Sequence, residues 1–270
     1  MPSTVHLRQL PLASPADTLR GTPGTVDVWC FFYREVQDPE LLAAYAALLT
    51  PEEQARHDRY VFDRDRLQFL ATRAAVRTVL SRYADIRAED WRFTEGSHGE
   101  PRIHAPVATP PLHFNLSNTP GLVVCAVSVA HAELGVDVEC LERRGETVSL
   151  ARDYFAPLEV RGLLALPLAD QRRRFFAYWT LKESYIKAKG LGLTLPLEQF
   201  AFVLEDGDDV RVIFDPRLGD DASLWRFVLL DASPDHMVAV GVNTGGAPIS
   251  LRAASFVPLR GIVPFAPSPR

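Results

Sequence analysis

The stretch AYWTLKESYIKAKGLGL, residues 177–193, has the apolar spacing of a buried helix but carries charged residues within that spacing. Its apolar positions, counted from one turn upstream, are Phe175, Tyr178, Trp179, Tyr185 and Ile186. Lys182 and Glu183 stand where the pattern calls for another apolar residue, and Lys187 follows one turn later. An unpaired charge at the edge of a buried face is destabilising by several kcal/mol. These side chains therefore require compensating partners.

A second charged motif lies on a predicted strand. In GVDVE, residues 135–139, alternation directs Val136 and Val138 to one face and Asp137 and Glu139 to the other. Carboxylates two residues apart on one face are separated by roughly 7 Å, and they repel each other unless water or a cation intervenes. A half-buried strand with a solvated outer face is the simple alternative.

The two motifs together predict a metal–phosphate site. A divalent metal held by Asp137, Glu139 and Glu183 would neutralise the acids. A bound phosphate would neutralise Lys182 and Lys187. Mg²⁺ suits such a site, because it combines a few carboxylates with water and phosphate oxygens. The alternative is an ordinary Glu183–Lys187 pair on the helix surface.

Composition limits the class of protein. The 270 residues are 47% hydrophobic and 23% charged, which is enough for one large domain or two small ones. A net charge of −5 argues against nucleic-acid binding through a broad basic surface. Three cysteines without a CxxC pair fit neither a zinc site nor a disulfide framework, so we expect a cytoplasmic protein. The sequence has no signal-peptide or membrane-spanning run, and no membrane partner is expected.

The chain is predicted to consist of two halves with flanking segments. Residues 1–24 are read as an irregular N-terminal arm, 25–132 as an N-terminal half and 133–245 as a C-terminal half. The last segment, 246–270, is rich in proline and predicts a tail that lies on the surface or is partly disordered. The predicted strands are 26–33, 113–117, 122–129, 134–141, 199–205, 210–214, 224–230 and 237–243, and the predicted helices are 38–49, 52–83 with a break near 62–65, and 158–189.

A faint internal repeat connects the halves. TPEE (50–53) precedes the helix that carries Arg77, much as APLE (156–159) precedes the helix that carries Lys187. In the first copy, Thr50 is followed by proline and then by a glutamate three residues on, which predicts a capping box. The repeat predicts an α+β fold of two similar α/β halves related by a pseudo-two-fold, with the ligand site in the cleft between them.

GVDVE and WTLKESYIKAKG (179–190) together resemble the two signature motifs of 4′-phosphopantetheinyl transferases, with Glu183 lying 46 residues after Asp137. The resemblance is to the larger, single-chain, pseudo-dimeric kind that acts on polyketide and nonribosomal peptide carrier proteins. FNLSNTPG (114–121) and GEP (99–101) resemble two further segments of that family. The similarity covers about residues 45–245.

The resemblance implies a reaction of the holo-[acyl-carrier-protein] synthase type. The 4′-phosphopantetheine arm of coenzyme A, the co-substrate, would pass to a serine of an acyl or peptidyl carrier protein, releasing adenosine 3′,5′-bisphosphate. Mg²⁺, with Mn²⁺ as an alternative, would be held by Asp137, Glu139 and Glu183. Asp137, Glu183 and Lys187 would be catalytic. Glu183 or a metal-held water is the favoured base, and Glu159 is a second candidate.

The phosphates of coenzyme A require donors. Lys182, Lys187 and Ser117 are predicted to bind phosphate oxygens. Two positions depart from the family pattern: Asn118 stands where the family has His, and Glu100 stands where it has Lys. Asn118 still offers a hydrogen bond but no charge, whereas Glu100 would repel a phosphate.

Arginines are the candidates for two further contacts. The family analogy favours Arg56 and Arg64 for the adenosine 3′-phosphate, with Arg73 as another candidate and Arg77 as a structural residue. The run 172–174, three consecutive arginines, offers a positive patch for an acidic carrier protein, although a solvated helix start explains it equally well.

Two other functions remain open on the sequence. A metal-dependent phosphodiester hydrolase would use the same acids with water as the nucleophile, and a non-catalytic module would bind coenzyme A without turnover. A phosphate-binding GxxxxGK[ST] loop, a GxSxG elbow and an HExxH motif are all absent from the sequence. We expect a monomer, because one chain supplies both halves of the site.

Overall fold

The structure is a computed structural model that describes residues 6–9, 19, 21–143, 145, 147–204, 210–265 and 267–269. The strands are β1 (His6–Gln9), β2 (Thr25–Phe31), β3 (Arg92–Glu95), β4 (Pro101–Ala105), β5 (His113–Thr119), β6 (Leu122–Ser128), β7 (Leu134–Cys140), β8 (Phe200–Leu204), β9 (Val210–Phe214), β10 (Trp225–Ser233), β11 (His236–Asn243), β12 (Ser250–Val257), β13 (Gly261–Val263) and β14 (Ser268–Pro269). The helices are α1 (Pro39–Ala46), α2 (Pro51–Asp58), α3 (Asp63–Leu80), α4 (Thr147–Tyr154), α5 (Pro157–Leu164) and α6 (Leu168–Lys189). None of the described helices is both long and apolar enough to cross a membrane.

Local sequence sets where the helices begin and end. The Thr50 hydroxyl accepts from the Glu53 amide at 3.3 Å, and the Glu53 carboxylate accepts from the Thr50 amide at 3.0 Å, which confirms the predicted capping box at the start of α2. Helix α6 ends at Gly190, whose φ of 63° lies in the left-handed region that favours glycine.

Two sheets form the centre of the molecule. The first has the order β1-β12-β2-β6-β5, with β13 beside β12, and the second has the order β14-β10-β11-β7. Val26 and Val28 of β2 share one buried apolar cluster with Val136 and Val138 of β7, so the sheets pack against each other through these faces. Helix α3 covers the outer face of the first sheet, and α6 covers that of the second. The alternation predicted for GVDVE is thereby confirmed.

The same order of elements occurs twice along the chain. A strand, three helices, a hairpin and two more strands run from β2 to β6 and again from β7 to β11. In each series the first strand pairs with the last, and the last pairs with the strand before it. The first strands read VDVWC (26–30) and VDVEC (136–140), a repeat that the sequence analysis missed.

The C-terminal segment corrects a prediction. Residues 250–257 are not a surface tail but strand β12, which lies between β1 and β2 in parallel pairing with both. Its Leu251 and Phe256 are buried in the core. The prolines at 248 and 258 flank this strand rather than interrupt it. The arm also contains strand β1, whereas most of its other residues lie outside the described part of the chain.

Candidate active site

Helix α6 lies unusually close to strand β7 because residue 135 is a glycine. A Cβ atom at Gly135 would lie 1.9 Å from the Ser184 carbonyl oxygen and 2.5 Å from the Ala188 nitrogen. A side chain here would push the helix away from the strand. The close approach brings the last turns of α6, including Lys187, against the polar face of β7.

Asp137 lies at the centre of the polar cluster. Its Oδ1 accepts from the Lys187 Nζ at 2.7 Å and from the Ser117 Oγ at 2.9 Å. Its Oδ2 is buried and has no hydrogen-bond partner among the described residues. One half of this carboxylate is therefore satisfied, and the other half lacks a ligand.

Ser117 has a different place from the one predicted. Its hydroxyl donates to Asp137 and accepts from the Val138 amide at 3.3 Å and from the Lys187 Nζ at 2.8 Å. One donor and two acceptor positions exhaust a hydroxyl, so Ser117 has no hydrogen left for a phosphate. The neighbouring Asn115 accepts from the Val136 amide at 3.0 Å. These two side chains of β5 satisfy edge amides of β7 and join the two sheets.

The other two acids lie near Asp137 and are poorly solvated. Burial, and after it the charge of Asp137, raise the pKa of Glu139 to about 7. The same two causes, in the same order, raise the pKa of Glu183. Arg143 lies 3.4 Å from Glu139, whereas Glu183 has no hydrogen-bond or ion-pair partner among the described residues. Both carboxyls would be stabilised in the ionised form by a nearby cation.

The chemistry of the three acids suits a divalent metal. In the described part of the chain, no group of three His, Cys, Asp or Glu side chains is arranged to hold a metal ion as it stands. Lys187 occupies one oxygen of Asp137 instead. A divalent cation would satisfy the buried, unpartnered Oδ2 of Asp137 and would favour the ionised forms of Glu139 and Glu183, whose pKa values are raised.

Lys182 is a core residue, which contradicts its predicted contact with phosphate. Its side chain is 1% exposed and its Nζ lies 2.8 Å from Glu159, which is completely buried. The same Nζ donates to the carbonyls of Leu197 and Phe200 at 2.7 and 2.5 Å. Glu159 in turn accepts from the amides of Ala156 and Phe202. Neither group reaches a ligand, so Glu159 is also excluded as the general base.

An equivalent buried pair exists in the N-terminal half and corrects the register of the repeat. Arg77 is fully buried and lies 2.6 Å from Glu53, the capping-box glutamate of α2. Glu159 holds the same position at the start of α5. The counterpart of Arg77 is therefore Lys182, not Lys187 as the sequence analysis proposed.

A cavity of about 820 Å³ lies between α2, α3 and the β3–β4 hairpin. Arg56, Tyr60, Phe69, Arg73 and Asn118 are among the residues that line it. Asn118 is exposed and lines the cavity from β5, the strand that also carries Ser117 of the acidic cluster. Its size suits a nucleotide.

Arg64, predicted to bind a phosphate, and Glu100, predicted to repel one, both differ from expectation. Arg64 does not line the cavity: its side chain is 76% exposed, lies over the Phe62 ring and approaches Asp65 at 3.6 Å. Glu100 folds back on its own hairpin, where Arg102 donates to it at 2.9 Å. Burial raises the pKa of Glu100, but hydrogen bonds from backbone amides and from Arg102 outweigh it and lower that pKa. The arginine also partly cancels the repulsion expected of this residue.

The three consecutive arginines of α6 are largely occupied by intramolecular contacts. Arg172 donates to the backbone carbonyls of Leu141, Arg143 and Gly145. Arg173 pairs with Asp231 at 2.6 Å. Arg172 thus stabilises the loop after β7, and Arg173 contacts strand β10. The role of the three arginines in carrier docking remains a prediction.

The acidic cluster, its lysine and the adjoining cavity are typical of enzymes that act on phosphate esters. Comparison with known families gives two matches. Residues 133–241 match the family described as the 4′-phosphopantetheinyl transferase superfamily. Residues 37–130 match the family described as 4′-phosphopantetheinyl transferase, N-terminal.

Individual relatives agree with these matches. The chain is 32% identical over 210 residues to 4′-phosphopantetheinyl transferase HetI of Nostoc sp., spanning 78% of this chain and 84% of that protein. It is 29% identical to 4′-phosphopantetheinyl transferase Sfp of Bacillus subtilis, over 73% of this chain and 83% of Sfp. A phosphopantetheinyl transferase of Thraustochytrium sp. is 29% identical over 74% of this chain and 72% of its own length. The chain belongs to the 4′-phosphopantetheinyl transferase superfamily.

Proposed function

We propose that this enzyme transfers the 4′-phosphopantetheine arm of coenzyme A to a serine hydroxyl of an acyl or peptidyl carrier protein. The observation that carries the proposal is the half-satisfied Asp137, held by Lys187 and Ser117, with two further acids of raised pKa beside it. In the reaction, the serine oxygen bonds to the phosphorus that bears pantetheine. The diphosphate P–O bond breaks, and adenosine 3′,5′-bisphosphate leaves.

Asp137, Glu139 and Glu183 would hold Mg²⁺ or Mn²⁺, the ions that prefer oxygen ligands. When bound, the ion neutralises the charge that moves onto the leaving phosphate. The role of Asp137 is to present its unpartnered Oδ2 at a fixed position, because Lys187 and Ser117 immobilise the other oxygen. A carboxylate fixed before the substrate arrives requires no reorganisation during the reaction.

Lys187 is the candidate cation for the diphosphate. Its ammonium group has three donors, and two of them bind Asp137 and Ser117. The third donor is left for a phosphate oxygen, and the side chain is 28% exposed, so a ligand can reach it. Lys182 takes no part, since its donors are used within the core.

Glu183 is the candidate general base. It is partly exposed, and its pKa is raised by burial and by Asp137. A carboxylate has two oxygens, so one oxygen of Glu183 can face the metal while the other accepts a proton. The proton of the carrier serine passes to Glu183 as the serine oxygen bonds to phosphorus.

The adenosine end is assigned to the cavity of the N-terminal half, with Arg56 and Asn118 as binding residues. Asn118 Nδ2 donates to Thr72 Oγ1 at 3.3 Å, and Gln68 donates to the Asn118 carbonyl oxygen. These bonds orient the Asn118 amide toward the cavity that it lines. Arg56 is half-exposed there and is accessible to a phosphate.

We further propose that the two series of elements are related by a pseudo-two-fold, with the ligand cleft between them. Supporting this are their equal strand order and the Lys187–Ser117 contact, which joins α6 of the second series to β5 of the first. The His98 ring of the first series also approaches Gly192 of the second. A single chain then holds the whole site, so sedimentation should show that the protein is a monomer. We also propose that the enzyme is cytoplasmic.

The test combines the enzyme with coenzyme A, Mg²⁺ and an apo carrier protein. Intact-protein mass spectrometry should show the carrier gaining roughly 340 Da, the mass of phosphopantetheine added by phosphoryl transfer. Breakdown of coenzyme A without carrier modification would favour the phosphodiester hydrolase instead. Nucleotide binding without any turnover would favour a non-catalytic module.

A further inference from the structure

A chain of hydrogen bonds runs from the turn between β5 and β6 to helix α3. The amide of Gly121 donates to the Tyr33 hydroxyl at 2.9 Å, and that hydroxyl donates to the Gln68 side-chain oxygen, Oε1, at 3.2 Å. The Gln68 Nε2 donates to Asn118 Oδ1, and Asn118 Nδ2 donates to Thr72 Oγ1 at 3.3 Å. The Thr72 hydroxyl donates to the backbone carbonyl of Gln68 at 2.8 Å. Four side chains form this relay: Tyr33, Gln68, Asn118 and Thr72.

Both ends of the relay are backbone groups whose roles cannot be exchanged. A backbone N–H group only donates and a backbone carbonyl only accepts, so the direction of every hydrogen bond between the two ends is fixed. The side-chain amides of Asn and Gln have an acceptor at one end and a donor at the other, and their partners decide which way each amide faces. The relay therefore holds Asn118 with Oδ1 toward Gln68 and Nδ2 toward Thr72.

One donor of the Asn118 amide is left over. The amide nitrogen carries two hydrogens, and only one of them is donated to Thr72. The second has no partner among the described residues, and Asn118 is exposed and lines the cavity. If the amide were turned round, its oxygen would take the place of Nδ2 and would repel an anionic oxygen. Tyr33 is 3% exposed and is not among the described residues that line the cavity, so it acts on a ligand only through the relay.

We propose that Tyr33 and Gln68 are positioning residues, which hold the Asn118 amide so that its free N–H donates to an anionic oxygen of the coenzyme A donor. The inference rests on the proposed function, which places that donor in this cavity. Because Asn118 is neutral, the direction of its amide dipole decides whether it attracts or repels the anion. The relay therefore sets the affinity for the donor and not the rate of the chemical step.

The experiment measures the Kd for coenzyme A by isothermal titration calorimetry with Mg²⁺ present, and kcat and KM with an apo carrier protein. Tyr33→Phe should raise the Kd by about fivefold, as expected for one neutral hydrogen bond, and should leave kcat unchanged. Gln68→Met should have the same effect. Tyr45→Phe is the matched control, because it removes another buried tyrosine hydroxyl, which donates to the Pro258 carbonyl at 3.1 Å. This control should keep the wild-type Kd.

A double-mutant cycle separates positioning from a structural role. In an Asn118→Ala background, the Tyr33 and Gln68 substitutions should each change the Kd by less than about twofold, because they act only through the Asn118 amide. Equal effects with and without Asn118, or an unchanged Kd in both single variants, would overturn the inference. Gln68→Met decides the question if Tyr33→Phe fails to fold.

The same measurements distinguish this inference from the proposed function. If the wild-type enzyme binds coenzyme A but modifies no carrier, the proposed function fails, while the Kd values of the variants still test the relay. If the wild-type enzyme does not bind coenzyme A, both fail.

Discussion

Asp27 and Asp137 occupy the same position in the strands VDVWC and VDVEC, yet their surroundings are opposite. Both oxygens of Asp27 bind Arg252 of β12, at 2.6 and 2.8 Å, and Tyr83 donates to it at 2.5 Å. Asp137 has Lys187 and Ser117 on one oxygen and no described partner on the other. The first aspartate is a closed structural pair, and the second is open to a ligand.

The residues two positions after these aspartates, Trp29 and Glu139, also have contrasting surroundings. Trp29 is completely buried and donates to Tyr83 at 2.9 Å, whereas Glu139 faces the polar cluster with a raised pKa. The strand beside each aspartate explains the contrast: β12 brings Arg252 to Asp27, and β5 brings only the hydroxyl of Ser117 to Asp137. The same backbone arrangement thus holds either a fully paired core aspartate or an aspartate with an unpartnered oxygen, according to its neighbours.

Replacing Asp137 should have the largest effect on activity. Asp137→Asn keeps the shape but removes the charge that orients Lys187 and faces Glu139 and Glu183, so transfer should fall by about a thousandfold. The free energy of unfolding in urea should stay close to that of wild type, because the loss of the ion pair with Lys187 is offset by relief of the repulsion from Glu139 and Glu183. Near-normal transfer by this variant would remove Asp137 from the mechanism.

Replacing Asp27 should reverse that pattern. Asp27→Asn leaves the Arg252 guanidinium without its buried partner, and unfolding should become easier by about 3–5 kcal/mol. Below its melting temperature the variant should retain most of its transfer rate, which mass spectrometry of the carrier measures. Selective loss of activity in a fully folded Asp27 variant would break the contrast between the two strands.

The buried Lys182–Glu159 pair of the C-terminal half gives the third prediction. Lys182→Met leaves the buried Glu159 carboxylate without its ion-pair partner. The free energy of unfolding, measured in urea, should therefore fall by about 3 kcal/mol. The double variant Lys182→Met with Glu159→Gln should recover part of that loss. If Lys182→Met leaves stability unchanged and instead raises the KM for coenzyme A, the lysine contacts phosphate after all.

Sequence reasoning reached the parts of this molecule that depend on local pattern. The alternation of GVDVE, the Thr50–Glu53 box and the helical character of 158–189 follow from spacings within a few residues of each other. The predicted helix 158–189 is nevertheless two helices, α5 and α6, with Pro167 immediately before the second. Sequence reasoning failed where partners are distant in the chain. Nothing near Lys182 reveals that its counter-ion is Glu159. The prolines around 250–257 concealed a strand whose two parallel partners, β1 and β2, are over 200 residues away. Ser117 was recognised as a site residue, but its saturated hydrogen bonds are visible only in three dimensions.

The smallest expected effect concerns Glu139 and pH. Its pKa in the folded protein is raised to about 7, so the unfolded carboxyl ionises first and this residue makes stability fall as pH rises from about 4.5 to about 7. Glu139→Gln should therefore stabilise the metal-free protein by about 1–3 kcal/mol at pH 8, with little change at pH 4.5. Urea titrations with a chelator present would measure this, with Glu142→Gln as an exposed control.

The most direct test of the contrast is metal binding by the two aspartate variants. Mn²⁺ would be titrated, in the presence of coenzyme A, into wild type, Asp137→Asn and Asp27→Asn, with the free ion followed by electron paramagnetic resonance. We predict one tight Mn²⁺ in wild type and in Asp27→Asn, and at least tenfold weaker binding in Asp137→Asn. Equal binding by Asp137→Asn and wild type would contradict the assignment of the open aspartate as the metal ligand.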